Sequence, residues 1–152
     1  MGWIRPTSHN DISNKWNYEA NAYDGVTSTS AYTDTDQLNY WLELILAGQI
    51  CSDKIRLYSR EGPGLNSDAD CRIEVFDVSL NNWVLVYDGF VTKDTWVEKT
   101  LPDGARTVSK SRIRWESEIG QSRKMYLFEF EFNQLPVNMS AIAGRTNNLL
   151  GG

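Results

Sequence analysis

The chain predicts an all-β domain, a two-layer antiparallel sandwich or a barrel. Short segments alternate apolar and polar residues with the two-residue period of a half-buried strand. Clusters of Gly, Pro, Asn and Asp punctuate them roughly every ten residues, the spacing of short strands in a sandwich or barrel. No segment shows an amphipathic helix of ordinary length.

The elements follow in chain order. Residues 1–19 read as an irregular, polar and aromatic lead-in. Residues 20–40 read as loop, with one turn of helix expected at Asp36-Gln37-Leu38-Asn39. Trp41 to Leu46 is a short buried strand with Leu42, Leu44 and Leu46 on one face. Lys54 to Ser59 alternates charged and apolar residues and forms the next strand. Glu61 to Asp68 is turn-rich. Cys71, Ile73 and Val75 share a face of a further strand. Ser79-Leu80-Asn81-Asn82 is a hairpin turn leading into the strand from Trp83 to Tyr87, and Asp88-Gly89 turns again. Thr95 to Thr100 and Ser111 to Glu116 are strands; the second puts Ile113 and Trp115 opposite Arg112, Arg114 and Glu116. In Met125 to Phe132, strict alternation sets Tyr126, Phe128, Phe130 and Phe132 against Leu127, Glu129 and Glu131. Trp41, Trp83 and Trp115 lie in strands and are assigned to the core. Residues 134–152 read as a tail outside the sandwich, expected to dock on a neighbouring subunit.

Length and composition bound the function. A chain of 152 residues is one domain and buries a core without staples. The net charge of −5 and the lack of a basic run argue against nucleic acid as a partner. The cluster Ser109-Lys110-Ser111-Arg112-Ile113-Arg114 reads as a solvated strand face. No apolar run approaches the roughly 20 residues of a membrane span. Met1 to Pro6 lacks the apolar region of a secretion signal, so export by that route requires a signal ahead of this sequence. A hairpin pairing 51–59 with 70–78 would keep Cys51 away from Cys71, leaving free thiols. His9 is the only histidine and stands in the lead-in, with no nucleophile in a recognisable arrangement. Glu129 and Glu131 share one strand face, which does not suit opposed acids flanking a glycosidic bond. The chain is therefore read as a non-enzyme. Asn138-Met139-Ser140 fits a glycosylation acceptor and is read as chance.

Several segments, in order, resemble one family. Ala22-Tyr23-Asp24-Gly25-Val26-Thr27-Ser28-Thr29 resembles the early loop of discoidin domains, also called coagulation factor V/VIII type C domains. Trp41 to Gly48 and Lys54 to Leu57 are similar to the family's next strands. Ile73-Glu74-Val75, Ser79 to Trp83 and Val84 to Gly89 resemble its strand, polar turn, Trp, strand and Gly sequence. Arg112 to Arg114 and Leu127 to Phe130 resemble its last strands. The likeness spans residues 20–133, which defines the expected domain. The chain departs from the family at Ile45, where an acid is usual, and at Tyr32, which replaces a Trp. It also lacks the terminal cysteine pair of many members.

The resemblance implies a galactose-binding-like jelly roll whose end loops bind sugars, phospholipid headgroups or proteins. It also implies a structural calcium near the Asp-Gly loop. Asp24, Thr27, Thr29 and either Glu129 or Glu131 supply the hard oxygen ligands such an ion wants, Glu129 being the preferred choice. For a sugar, Trp3, Trp16, Tyr32 and Trp96 are the loop aromatics, with Arg60, Asn66, Asp68 and Lys93 as polar partners. Two function classes follow: a carbohydrate- or surface-binding adhesion module, and a structural component of a viral or phage particle such as a capsid decoration or tail protein. Both place the protein outside a cell or on a virion surface. Both also make a glycan, a protein surface or a homo-oligomeric assembly the expected partner.

Overall fold

A computed structural model of the chain describes residues 2–34, 37–62, 68–117 and 124–136. Its strands are β1 (Gly2–Ile4), β2 (Ser8–Asn10), β3 (Trp16–Asn17), β4 (Ala31–Thr33), β5 (Leu42–Gly62), β6 (Ala69–Asp77), β7 (Asn82–Val91), β8 (Trp96–Thr100), β9 (Arg106–Ser117) and β10 (Lys124–Gln134). A 3₁₀ turn spans Glu19–Tyr23. All pairings are antiparallel, and the fold is a two-layer β-sandwich.

Strand β5 belongs to both layers. Its first part, Leu42 to Ile45, pairs with β2 on one side and β9 on the other. The first sheet then continues through β6 to β7. Between Ile45 and Ile50 the register with β9 shifts, and Ala47, Gly48 and Gln49 bulge into solvent. An irregularity of this kind bends a strand and raises its twist. Past the bulge, β5 still pairs with β9 at Ile50 to Ser52; from there on it pairs with β8 and β10 in the second sheet, whose far edge is completed by β1 and β4, with β3 outside β4. The segments 41–46 and 54–59 are thus one strand of 21 residues. The expected hairpin of 51–59 with 70–78 does not form, because β6 pairs with β7 and β9 instead. Cys51 and Cys71 are nonetheless free and buried.

The core lies between the layers. Leu42, Leu44, Leu46, Ile55 and Leu57 of β5 face Cys71, Ile73 and Val75 of β6, Val108, Ile113 and Trp115 of β9, and the inward residues of β10. Each large side chain removed from water contributes roughly 1.5–3 kcal/mol. Trp16 joins this core and stacks on Trp115 with ring centroids 5.5 Å apart. Its indole N–H donates to the Tyr40 carbonyl at 2.9 Å.

The alternation expected along β10 is broken by a bulge between Leu127 and Glu129. Met125 and Leu127 face the core before it, and Phe130 and Phe132 after it. Tyr126 and Phe128 therefore lie on the outer face, where strict alternation would have put them with the core aromatics. The lead-in is not irregular either: β1 pairs with β10, β2 with β5, and β3 with β4. The helical turn forms at 19–23, while described residues 37–40 carry none; Asp36 lies outside the described residues. Gln134 still pairs in β10, and the Leu135 N–H bonds to the Cys51 carbonyl at 2.9 Å, so the sandwich extends past residue 133. The rest of the expected tail, with Asn138, lies outside the described residues.

Both outer faces carry the same device. On the first sheet the Arg112 guanidinium lies 4.1 Å from the Trp41 ring centroid and 4.2 Å from that of Trp83. Its Nε donates to Glu74 Oε1 at 2.8 Å. On the second sheet Arg56 lies 4.4 Å from Trp3 and 4.1 Å from Trp96, and its Nε donates to Glu131 at 2.8 Å. Trp41 and Trp83 are accordingly half-exposed stacking residues on the sheet surface; of the strand tryptophans assigned to the core, Trp115 alone is buried there. The basic positions of β9 are matched: Lys110 pairs with Glu43, Arg112 with Glu74 and Arg114 with Glu116. Arg112→Ala removes two cation–π contacts and leaves buried Glu74 with fewer donors, so we expect a loss of about 2 kcal/mol. A urea melt with unchanged slope reads this, and a loss below about 0.5 kcal/mol would mean the stack contributes nothing.

Candidate functional site

Two neighbouring regions of the second sheet concentrate the polar chemistry. The first is the loop over the edge of β10. β4 covers that edge at Met125 to Leu127 and β1 covers it at Phe132 to Gln134. Between them the loop after the 3₁₀ turn roofs Glu129, which is 1% exposed. The Gly25 N–H donates to Glu129 Oε1 at 2.8 Å. Gly25 has φ +84, a left-handed conformation that favours glycine and strains any other residue. Asp24 accepts from the Val26 N–H at 2.9 Å and from the Thr29 hydroxyl. Glu129 Oε2 has no hydrogen-bond partner, and the Asp24 carboxylate lies beside it.

Two carboxylates side by side, one buried with an orphaned oxygen, are the arrangement a cation would resolve. Asp24, Thr29 and Glu129 come together as the sequence suggested. Thr27 stands exposed in the same loop, and Glu131 is instead engaged by Arg56 at 2.6 Å. No cluster of three or more His, Cys, Asp or Glu side chains occurs among the described residues. The hydroxyl of Thr29 and the loop carbonyls would therefore complete the oxygen set for a hard ion.

Burial, followed by the nearby Asp24 carboxylate, pushes Glu129 up from 4.5 to about 8, against the lowering effect of the Gly25 hydrogen bond. A folded-state value above the unfolded one means the folded state holds the proton more tightly. This contribution to stability is complete below about pH 4.5 and is lost as pH rises towards 8.

The second region is one end of the sandwich. Strand ends meet there at Thr33 opposite Met125, Gly62 opposite Lys124, Ala69 opposite Val91, and Tyr58 opposite Trp96. The Asp94 N–H donates to the Ser59 carbonyl at 3.0 Å, and the Asp94 carboxylate lies 3.8 Å from Arg60. The Lys93 N–H donates to Asp68 at 2.9 Å. Lys124 lies 4.6 Å from the Tyr32 ring centroid and 3.8 Å from Asp34. Tyr32 touches Tyr18 at 5.9 Å and Tyr126 at 5.6 Å between centroids.

This end collects Tyr32, Arg60, Asp68 and Lys93 from the residues the sequence singled out. Asn66 lies outside the described residues. Trp96 stands at the border of the group, with Tyr58 on one side and Arg56 on the other. Trp3 shares Arg56 with it but sits across the sheet on β1. Trp16 is only 3% exposed and is a core residue, which removes it as a ligand platform.

Sequence reasoning missed Tyr18, Asp94, Lys124 and Tyr126. Tyr18 is 67% exposed and has φ 52, a left-handed conformation that costs a non-glycine residue about 1 kcal/mol or more. Nothing in the sequence marks that backbone. Tyr126 was missed because the β10 bulge is invisible to a strict two-residue period.

Catalytic groups are not assembled among the described residues. His9 Nδ1 is 2.8 Å from the Tyr23 hydroxyl, and its Nε2 is 3.5 Å from Glu19. Cys71 is fully buried, and that burial drives its thiol pKa far up.

No sequence family and no curated protein matches the chain. Solved structures do. The CBM32 of AlyQ in complex with 4,5-unsaturated mannuronic acid superposes with a TM-score of 0.66 at 12% identity, covering 87% of this chain and 98% of that one. The family 32 CBM from C. perfringens NanJ, in complex with galactose, gives 0.62 at 16% identity over 84% and 91%. A chitosan-binding module derived from a chitosanase/glucanase of Paenibacillus sp. IK-5 gives 0.60 at 21% identity over 85% and 95%. The chain thus has the galactose-binding-like, discoidin-type sandwich fold of these modules, at low sequence identity to them.

In the presence of a chelator, we expect thermal stability to fall between about pH 4.5 and 8 as Glu129 ionises. Glu129→Gln should flatten that fall, and melting curves across the range read it directly. An unchanged slope in the variant would mean that Glu129 is not the group responsible.

Proposed function

We propose that this chain is a non-catalytic carbohydrate-binding module that recognises its ligand at the Tyr18, Tyr32 and Tyr126 end of the sandwich. The observation that carries this reading is the convergence, at one loop end, of the exposed Tyr18 and the partly exposed Tyr32 and Tyr126 with donors and acceptors of both signs. Sugars present apolar ring faces and hydroxyl edges. A site for them combines ring surface with a few placed polar groups, which Lys124, Arg60, Asp94, Asp68 and Lys93 supply. The strained and exposed Tyr18 fits a residue held for contact rather than for packing. The likeness of the fold to modules solved with mannuronic acid and with galactose supports the same reading.

We further propose that calcium binds Asp24, Thr29 and Glu129 as a structural ion. It would take the place of the proton that Glu129 otherwise holds beside Asp24. It would also pin the 24–29 loop to β10, beside the strand that carries Tyr126. The module would act where glycans are displayed, outside a cell or on a particle surface.

A glycan array followed by calorimetry tests the reading. Tyr32→Ala should weaken the best ligand about tenfold, the equivalent of about 1.4 kcal/mol, without lowering the melting temperature by more than a few degrees. Binding unchanged in Tyr32→Ala and in Tyr126→Ala would place the site elsewhere. Calcium should raise the melting temperature of the wild type and not that of Asp24→Asn with Glu129→Gln. An equal rise in both would remove the ion from this loop.

A further inference from the structure

Three Asp-Gly sequences occur in the chain: Asp24-Gly25, Asp88-Gly89 and Asp103-Gly104. An aspartate followed by glycine is prone to close on itself. The glycine nitrogen has no side chain beside it to hinder attack on the aspartate carboxyl carbon. By sequence the three are equal candidates, and the fold separates them.

In the first, both reacting groups are engaged. The Gly25 N–H donates to buried Glu129 at 2.8 Å, and the Asp24 carboxylate accepts from the Val26 N–H and the Thr29 hydroxyl. In the second, Gly89 lies inside β7 opposite Cys71 of β6, so the sheet fixes its main chain. The Asp88 carboxylate accepts from Arg72 at 3.1 Å. A hydrogen bond with Glu116, then Arg72, holds that carboxyl below its usual range, and the anion is a poor centre for attack.

Asp103-Gly104 differs in each respect. It lies in the turn between β8 and β9, outside both strands. The Asp103 side chain is 91% exposed, and its one partner among the described residues is Arg106 Nη2, at a long 3.4 Å. The Gly104 N–H has no acceptor among the described residues. No atom beyond its chain neighbours lies within 4 Å of the place a Cβ would take there. Both residues are left-handed, with φ +63 and +92, which Asp and Gly tolerate. Arg106 is held without Asp103, since its Nη1 donates to Asp77 at 2.8 Å and its Nε to the Pro102 carbonyl at 2.9 Å.

We infer that Asp103-Gly104 is a site of aspartate isomerisation, the β8–β9 turn passing through a cyclic imide to an isoaspartyl link. The Gly104 nitrogen attacks Asp103 Cγ and forms a new C–N bond; its proton and the carboxyl hydroxyl leave as water. One water then reopens the five-membered imide. Attack at Cγ restores aspartate. Attack at the main-chain carbonyl breaks the old peptide bond and leaves the chain running through Cγ, one carbon longer, with the carboxylate on Cα. Water is lost and regained, so mass and oxidation state are unchanged. The product alters one wall of a shallow depression that Asp77, Leu80, Asp103 and Arg106 line, at the end of the sandwich away from Gly62 and Lys124. Arg106 keeps Asp77 and Pro102, so the sandwich stays folded.

Trypsin places each Asp-Gly in its own peptide, residues 16–54, 73–93 and 100–106. The full chain is held warm in mildly acidic buffer, digested at intervals and probed with a protein carboxyl methyltransferase that labels isoaspartate from S-adenosylmethionine. Label should enter peptide 100–106 at least about tenfold faster than either other peptide, a barrier difference of about 1.4 kcal/mol. In strong denaturant the three rates should converge, because the fold no longer protects two of them. Asp103→Asn keeps a residue that tolerates the left-handed turn and should convert faster, releasing ammonia in place of water. Equal rates in the folded chain, or first reaction at 16–54 or 73–93, would overturn the inference. So would a folded chain whose peptide 100–106 stays unlabelled while the denatured chain is modified. A preference that persists in denaturant would trace to local sequence and overturn the structural assignment. An Asp103→Asn chain that resists conversion would show that the turn does not close the ring, and would overturn it as well.

Discussion

Everything in this sandwich hangs on one strand serving two sheets. β5 runs for 21 residues; its bulge at Ala47 to Gln49 shifts its register on β9, which it still pairs at Ile50 to Ser52, and from Lys54 on it lies between β8 and β10. A strand that changes layers must present its core face to the same interior on both sides of the corner. Leu42 and Leu44 do this before the bend, and Ile55 and Leu57 after it, all without measurable exposure. The extra residues of the bulge absorb the change of direction, so neither half loses its alternation. This geometry also decides where the loops collect. The second half of β5 ends at Gly62 beside Lys124, and Arg60 is carried into the same end as Tyr32 and Asp94.

The outer faces obey a different constraint. A sandwich with many aromatic residues has more rings than its interior holds, and the surplus lies outside. Arginine and lysine side chains cover those rings: Arg56 and Arg112 each lie between two indoles while paired to a glutamate. Arginine suits this place because its planar, weakly hydrated guanidinium stacks and still donates in its own plane. The stacks tie strands together across each sheet. They also mean that an outward tryptophan here is not automatically a ligand platform, since Trp3 and Trp96 already share a cation.

Much of this was legible in the sequence. The period-two segments located every long strand, and Cys71, Ile73 and Val75 or Ile113 and Trp115 faced the core as alternation required. The Asp24–Gly25 loop and Glu129 were legible as a pair only through the family resemblance, because they lie 104 residues apart. What could not be read depends on tertiary context. The β10 bulge reverses the facing of Tyr126 and Phe128, and no local signal marks it. Trp16 looked like a loop residue until the two-residue β3 and the Tyr40 carbonyl drew it inward. The short strands of the lead-in carry no pattern of their own, since β1 and β2 are three residues each and exist by pairing with β10 and β5. Tyr18 gains its meaning from a backbone conformation rather than from its neighbours in sequence.

The central claim is that ligand recognition occurs at the Tyr18, Tyr32 and Tyr126 end of the second sheet. Amide chemical-shift mapping of the isotopically labelled chain, titrated with a glycan that binds it, tests this most directly. The account predicts that the perturbed amides cluster on residues 17–19, 31–33, 93–96 and 124–128, with the first sheet unmoved. Perturbations centred instead on the opposite end, around the shallow depression lined by Asp77, Leu80, Asp103 and Arg106, would contradict it.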